Sequence, residues 1–157
     1  MKRYWYFLIS AALLAGDLLS KILIKKALTD DYGEISLIPG FFKITYVENR
    51  GLIFGILQNT PMLIKAGFML AGLALFSFYL LKHFEKLKNI EVIGFAFILG
   101  GGLGNIVDRL INGYVFDFLH LYYRRFAWPT FNLADISIDI GIVLFIIGQF
   151  AVKKNVA

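Results

Sequence analysis

Residues 92–109 read VIGFAFILGGGLGNIVDR: sixteen positions without a charge, then Asp108 and Arg109 side by side. An apolar run of that length predicts a helix, and about 20 residues are needed for a helix to cross a bilayer. Three further charge-free stretches are Tyr4–Gly16, Ala66–Leu81 and Ile140–Val152. Each falls short of spanning length unless extended through a charged residue, which gives spans of about 4–24, 62–81, 90–109 and 133–152. The composition agrees. The 157 residues are 59% hydrophobic and 17% charged, against roughly 45–50% and ~25% in soluble domains. That excludes disorder and disfavours an ordinary water-soluble globule. The length predicts one integral membrane domain, residues 1–157. Absence of cysteine excludes disulfides, thiolate metal sites and a Cys nucleophile. The net charge of +5 is not gathered into a basic stripe, so nucleic acid is not an expected partner.

Orientation follows from the basic residues. Lys2, Arg3, Lys82, Lys86, Lys88, Lys153 and Lys154 crowd three short segments, whereas six others are spread over two long ones, about 25–61 and 110–132. The denser side is the cytoplasmic one, so both termini are expected there. The extensions to spanning length then all fall at the outer end. They bring in Asp17 and Lys21, Lys65, Asp108 and Arg109, and Asp135 and Asp139. Four helices become polar at one depth, just below the outer surface, and that layer is the candidate site. The first span has the basic start and small residues of a signal peptide, but apolar residues resume at Leu18, so an uncleaved helix is expected. Its ten Leu, Ile and Phe residues from Phe7 to Ile24 favour insertion by roughly 3–6 kcal/mol. Asp17 and Lys21 each oppose it by up to about 2.5–3.5. The balance is near zero, so the two are expected to face protein, and their i, i+4 spacing lets them pair.

The segments between spans differ in character. Residues 34–57 are rich in β-branched and aromatic side chains around a Pro39-Gly40 turn, which predicts a small outer sheet. Residues 111–131 carry Tyr114, Phe116, Phe118, Tyr122, Tyr123, Phe126, Trp128 and Phe131 with Arg124 and Arg125, and read as an aromatic-rich interfacial segment. Asp117 sits between two phenylalanines there, a setting that raises a carboxyl pKa.

The chain is poor in nucleophilic chemistry. It has two histidines, His83 and His120, both expected to be structural, and no Gly-x-Ser-x-Gly turn or His-Glu-x-x-His run. Gly100-Gly101-Gly102-Leu103-Gly104 follows an apolar helix rather than a strand, so close helix packing is expected of it rather than phosphate binding. Aspartate is what remains: Asp17, Asp108, Asp117, Asp135 and Asp139. Two carboxylates sharing a proton can activate water for peptide hydrolysis, and the same acids can also build an ion or proton pathway. Spacing does not choose which acids pair, nor between a protease and a transporter. A transporter is expected to hold such acids near the midplane.

At this point the residues resemble a known family. Asp17-Leu18-Leu19-Ser20-Lys21 is similar to the Asp-x-x-Ser/Thr-Lys motif of the bacterial lipoprotein signal peptidases, or signal peptidase II. Pro39-Gly40-Phe41-Phe42 and Asn49-x-Gly51-x-x-Phe54 resemble its strand region. Gly101 to Arg109 with Gly113-Tyr114-Val115-x-Asp117-Phe118 resembles its third-helix signature, and Phe131-Asn132-x-Ala134-Asp135 its fourth. The resemblance implies an α-helical membrane protein with four transmembrane helices and an outer β-cradle. It implies an aspartic protease that cuts prolipoproteins before a diacylglyceryl-modified cysteine, with no metal or cofactor. Asp117 and Asp135 fall at its catalytic positions. Asn49, Asn105, Arg109 and Asn132 fall at substrate-lining ones, and Asp17, Lys21, Gly101, Gly104 and Asp108 at structural ones. Leu52 and Ile53 stand where the family has small residues, and Arg50 replaces a small polar one, so the cradle's shape is expected to differ. The expected partners are lipid-modified prolipoproteins and membrane lipids. The expected state is a monomer in the bacterial cytoplasmic (inner) membrane, with its active site near the outer surface.

Overall fold

The computed structural model describes residues 4–28, 33–51 and 60–152. The expected cradle residues Leu52, Ile53 and Phe54 lie outside them, as do the terminal lysines and arginine used for orientation. Among the described residues four helices are long and apolar enough to cross a membrane. They are α1 (Trp5–Ala27), α2 (Met62–Lys82), α3 (Asn89–Asn112) and α4 (Leu133–Val152). Their bounds fall within three residues of the spans expected from charge alone. Between them lie β1 (Ile35–Ile38), β2 (Phe42–Asn49), β3 (Val115–Tyr123) and the short β4 (Phe126–Ala127).

The helix α3 is the inner one: 61% of its spanning window is buried, against 17–22% for the other three. Those three present residues such as Leu8, Leu63, Leu75, Phe78 and Phe150 outward. In water this would be a large adhesive surface; in a bilayer it is matched to its solvent. Small residues let α3 approach its neighbours, because helices in lipid associate through packing and polar contacts rather than the hydrophobic effect. A Cβ on Gly94 would lie 2.7 Å from the Gly141 carbonyl oxygen of α4. A Cβ on Gly101 would strike the Ala134 carbonyl of the same helix. Between α1 and α3 the Ser10 hydroxyl donates to the Ala96 carbonyl at 3.0 Å.

The four strands form one sheet in the order β1-β2-β3-β4. It gathers the C-terminal ends of α1 and α3 and the N-terminal end of α4, so it caps one end of the bundle. The segment 111–131, expected as an interfacial stretch, thus supplies two strands of the sheet. Aromatic residues favour strands and membrane interfaces alike, so composition alone does not separate them. Gly113 makes the junction possible. Its left-handed φ of 77° ends α3, its N–H bonds the Arg109 carbonyl at 3.1 Å, and the chain turns directly into β3. Strands β2 and β3 pair antiparallel from Asn49↔Val115 to Phe42↔Leu121, with one extra β2 residue between Ile44 and Val47. That bulge lies opposite Phe118, beside Asp117.

Candidate active site

Alternation along β3 divides its side chains between two faces. Phe116 and Phe118 pack with Leu28, Ile24 and Tyr46 into a buried cluster between sheet and α1. Asp117, between them, faces the other way and is 1% exposed. Phe131 bonds Leu119 of the same strand in both directions, at 2.8 and 3.1 Å. This short pairing carries Asn132 to the side of Asp117.

Asn132 then starts α4. Its Oδ1 accepts the Asp135 N–H at 3.0 Å, and the Asp135 Oδ2 accepts the Asn132 N–H at 3.1 Å. That is the reciprocal pattern of a capping box. With its oxygen so engaged, the Asn132 amide turns its nitrogen outward, donating to Asp117 Oδ1 at 2.6 Å and to Asn105 Oδ1 at 3.2 Å. Asn132 therefore joins the two carboxylates: one through its side chain, the other through its backbone. The Asn49 amide is oriented the same way. Its Oδ1 takes the Gly51 N–H at 3.1 Å, and its Nδ2 donates to Asp117 Oδ2 at 2.9 Å. Asn105, on α3, donates from Nδ2 to Asp135 Oδ1 at 2.8 Å. Each carboxylate thus accepts two N–H donors, one on each oxygen.

Burial pushes the Asp117 carboxyl up to about 7, helped by the neighbouring Asp135 charge and opposed by the Asn49 and Asn132 amides and by Lys21. Two acids from different segments, one with its proton held to neutral pH, form the arrangement that general acid–base chemistry requires.

A second layer supports the first. Lys21 reaches Asp17 Oδ2 at 2.7 Å, Asp108 Oδ2 at 3.0 Å and Asn105 Oδ1 at 3.4 Å, and all four residues are buried. Asp17 Oδ1 accepts the Ala134 N–H at 3.0 Å; Asp108 accepts the Phe116 N–H at 3.1 Å and the Asn112 amide at 2.8 Å. One ammonium thereby ties α1 and α3 to the starts of β3 and α4. Gly104 gives room for it: a Cβ there would meet Asp17 Oδ2 at 2.5 Å. Arg109 donates from Nη2 to the Gly51 carbonyl at 2.8 Å and from Nη1 to the Asn105 carbonyl at 3.3 Å. Its Nε is the one buried side-chain polar atom without a hydrogen-bond partner among the described residues.

Ten of the eleven residues singled out from sequence lie in these layers; the eleventh, Gly101, packs α3 against Ala134 of α4. Asp139, left open between roles, is exposed on α4 and makes none of these contacts. His83 bonds the Tyr79 carbonyl and His120 the Thr130 hydroxyl. Two features escape a reading by residue type. Lys25 donates to Tyr114 Oη at 3.1 Å, which lies 2.6 Å from Tyr46 Oη, fastening α1 to the sheet. Burial and the Tyr114 hydrogen bond push the Tyr46 phenol up to about 12, so it stays protonated. Lys65, 1% exposed, donates to the Arg50 carbonyl. Its sequence position predicts a place in the outer polar layer but not this backbone partner.

Comparison with known proteins places these observations. The family model described as signal peptidase (SPase) II matches residues 9–151. A lipoprotein signal peptidase of Sulfurihydrogenibium sp. (strain YO3AOP1) is 42% identical over 152 residues, 94% of this chain and 91% of the relative. Another, from Syntrophus aciditrophicus (strain SB), is 38% identical over 125 residues and 77% of each chain. The solved structure of a bacterial membrane enzyme resembles this fold with a TM-score of 0.81 at 26% identity, over 100% of this chain and 94% of its own.

Proposed function

Because the chain belongs to the signal peptidase II family of peptidases, we propose that it is an aspartic endopeptidase. In this reading it removes signal peptides from prolipoproteins, cutting before a diacylglyceryl-modified cysteine. The observation that carries the reading is Asn132, whose amide and backbone N–H bind Asp117 and Asp135 at once. Such a bridge holds two acids of different segments at one reaction centre, whereas a relay for ions would string them along a path.

Asp135 is the general base. Its place in the first turn of α4, at the positive end of the helix, suits a carboxylate. It takes a proton from water as the oxygen attacks the scissile carbonyl. Asp117, holding its proton, donates it to the carbonyl oxygen, so the tetrahedral intermediate forms as a neutral diol. Asp135 then protonates the departing nitrogen of the cysteine while Asp117 recovers a proton from the diol. The C–N bond breaks, leaving a carboxyl on the signal peptide and a free amine on the lipidated cysteine. Atoms and charges balance, and the pair returns to its single shared proton. The Nε of Arg109 and the second amide hydrogens of Asn49 and Asn105 are donors left for the substrate backbone.

The depth of the site supports the same substrate. A diacylglyceryl group keeps its chains in one leaflet, so the bond beside the cysteine lies just below that surface. The acids stand at the sheet end of the helices rather than at their middle, which suits a bond at that depth. The density of basic residues at the opposite end favours both termini in the cytoplasm and the site at the outer face of the inner membrane.

The pH profile tests the pairing. Activity needs one proton on the pair, and the Asp117 value of about 7 is for loss of that last proton. The expected kcat/KM therefore falls on the alkaline side with an apparent pKa near 7, a value belonging to the pair as a unit. A profile flat from pH 6 to 9, with chemistry limiting, would contradict it.

A further inference from the structure

The turn that presents Asn49 to Asp117 is itself held from two sides. Lys65, in the first turn of α2, donates its ammonium to the Arg50 carbonyl. Arg109 of α3 donates to the next carbonyl, that of Gly51, at 2.8 Å. Between these two clamps the Gly51 N–H bonds Asn49 Oδ1 at 3.1 Å, and this bond turns the Asn49 nitrogen toward Asp117. The Arg50 side chain leaves the turn, its guanidinium pairing with Glu48 at 2.7 Å. Lys65 thus engages the backbone of the turn. An ammonium taken out of water carries a penalty of several kcal/mol, which good hydrogen bonds must offset. Membrane insertion of α2 gains nothing from a buried lysine, so its place at the turn calls for another explanation.

We propose that Lys65 is a positioning residue of the proteolytic site, whose ammonium fixes the Asn49–Gly51 turn so that the Asn49 amide stays on Asp117 and tunes the acid–base pair. The proposal rests on the aspartic reading of Asp117 and Asp135. Among the described residues the charged groups facing Asp117 are Asp135 from α4 and Lys21 from α1, with Arg109 from α3; the Glu48–Arg50 pair lies on the exposed side of the turn. None of these is altered by replacing Lys65. The Asn49 amide favours the ionised form of Asp117, so its loss raises that carboxyl further and the alkaline limb moves to higher pH. A residue that merely braced the turn for stability would lower the melting temperature and leave the limb where it was.

The experiment is the pH dependence of kcat/KM on a lipid-modified precursor. It uses the full chain in lipid-containing micelles as wild type, Lys65→Met, Lys65→Gln, Lys65→Arg, Asn49→Ala and the Asn49→Ala/Lys65→Met double variant. Lys65→Met is expected to raise the alkaline limb by about one pH unit, the size of a lost hydrogen bond to a charged group. Lys65→Arg should restore it. In the Asn49→Ala background, Lys65→Met should add no further shift, since both act through one amide. Should the methionine variant fail to fold, Lys65→Gln, which removes the buried charge, is read in its place with the same expected direction. An unmoved limb in the variant that folds, or a second full shift on top of Asn49→Ala, overturns the proposal. Asp117→Asn separates the two levels: its retained activity overturns the aspartic reading itself. Its inactivity alongside an unmoved Lys65 limb overturns only the role of Lys65.

Discussion

Asp117→Asn and Asp135→Asn are each expected to lower kcat/KM for a lipid-modified precursor by about 10³–10⁴-fold. The two substitutions fail for different reasons. An amide at position 135 cannot take a proton from water, so the attacking oxygen is never activated. An amide at position 117 cannot give a proton to the carbonyl oxygen or recover one from the diol. It also presents an NH2 where the carboxyl accepts from both Asn49 and Asn132. Because the two acids act as one unit, the double variant should be scarcely worse than either single one. The check is initial rate of precursor cleavage, in protein whose helicity and thermal unfolding match wild type. Full activity in either variant would remove that residue from the reaction.

Lys21→Met is expected to destabilise the chain by about 3–5 kcal/mol, the range for removing one partner of a buried charge cluster. Lys21 lies 2.7 Å from Asp17 and 3.0 Å from Asp108, and their side chains are 0–7% exposed. Without the ammonium, two carboxylates face each other across α1 and α3 with no cation between them. The damage reaches the chemistry as well, because Lys21 also touches Asn105, which donates to Asp135. Pairing Asp17→Leu with Lys21→Met should recover part of the loss, since the second change removes a charge that the first left unpaired. Denaturant or thermal unfolding of the single and double variants in micelles measures this. A single variant within 0.5 kcal/mol of wild type would show that the cluster does not hold the helices together.

These expectations draw on features of unequal visibility in the sequence. The helices were legible because a bilayer demands long charge-free runs, and the polar layer because charges that interrupt such runs must face protein. Asp17 and Lys21 could be paired from spacing, since four residues bring them onto one helix face. The reacting pair could not. Asp135 and Asp139 also share a face by spacing, yet only Asp135 stands in the first turn of α4, where its carboxylate reaches back to the Asn132 N–H. Asp139, a turn further on, is past that reach and exposed. Asp117 stood out by its apolar neighbours, but its partner followed from family resemblance, because the pairing depends on the long-range Leu119–Phe131 contact. The aromatic segment concealed β3 because tyrosine and phenylalanine serve interfaces and strands equally well. The clamp from Lys65 to the Arg50 carbonyl was hidden for a related reason. It engages a backbone atom, which no residue type at position 50 can announce.

Mass-spectrometric mapping of the products from one precursor, with and without its diacylglyceryl group, by the purified chain with EDTA present, tests the proposed activity most directly. Cleavage at the bond before the lipidated cysteine, chelator-insensitive and abolished when the lipid is absent, is the expected result. Cleavage at another bond, equal cleavage of the unlipidated precursor, or activity lost to EDTA and restored by zinc would contradict it.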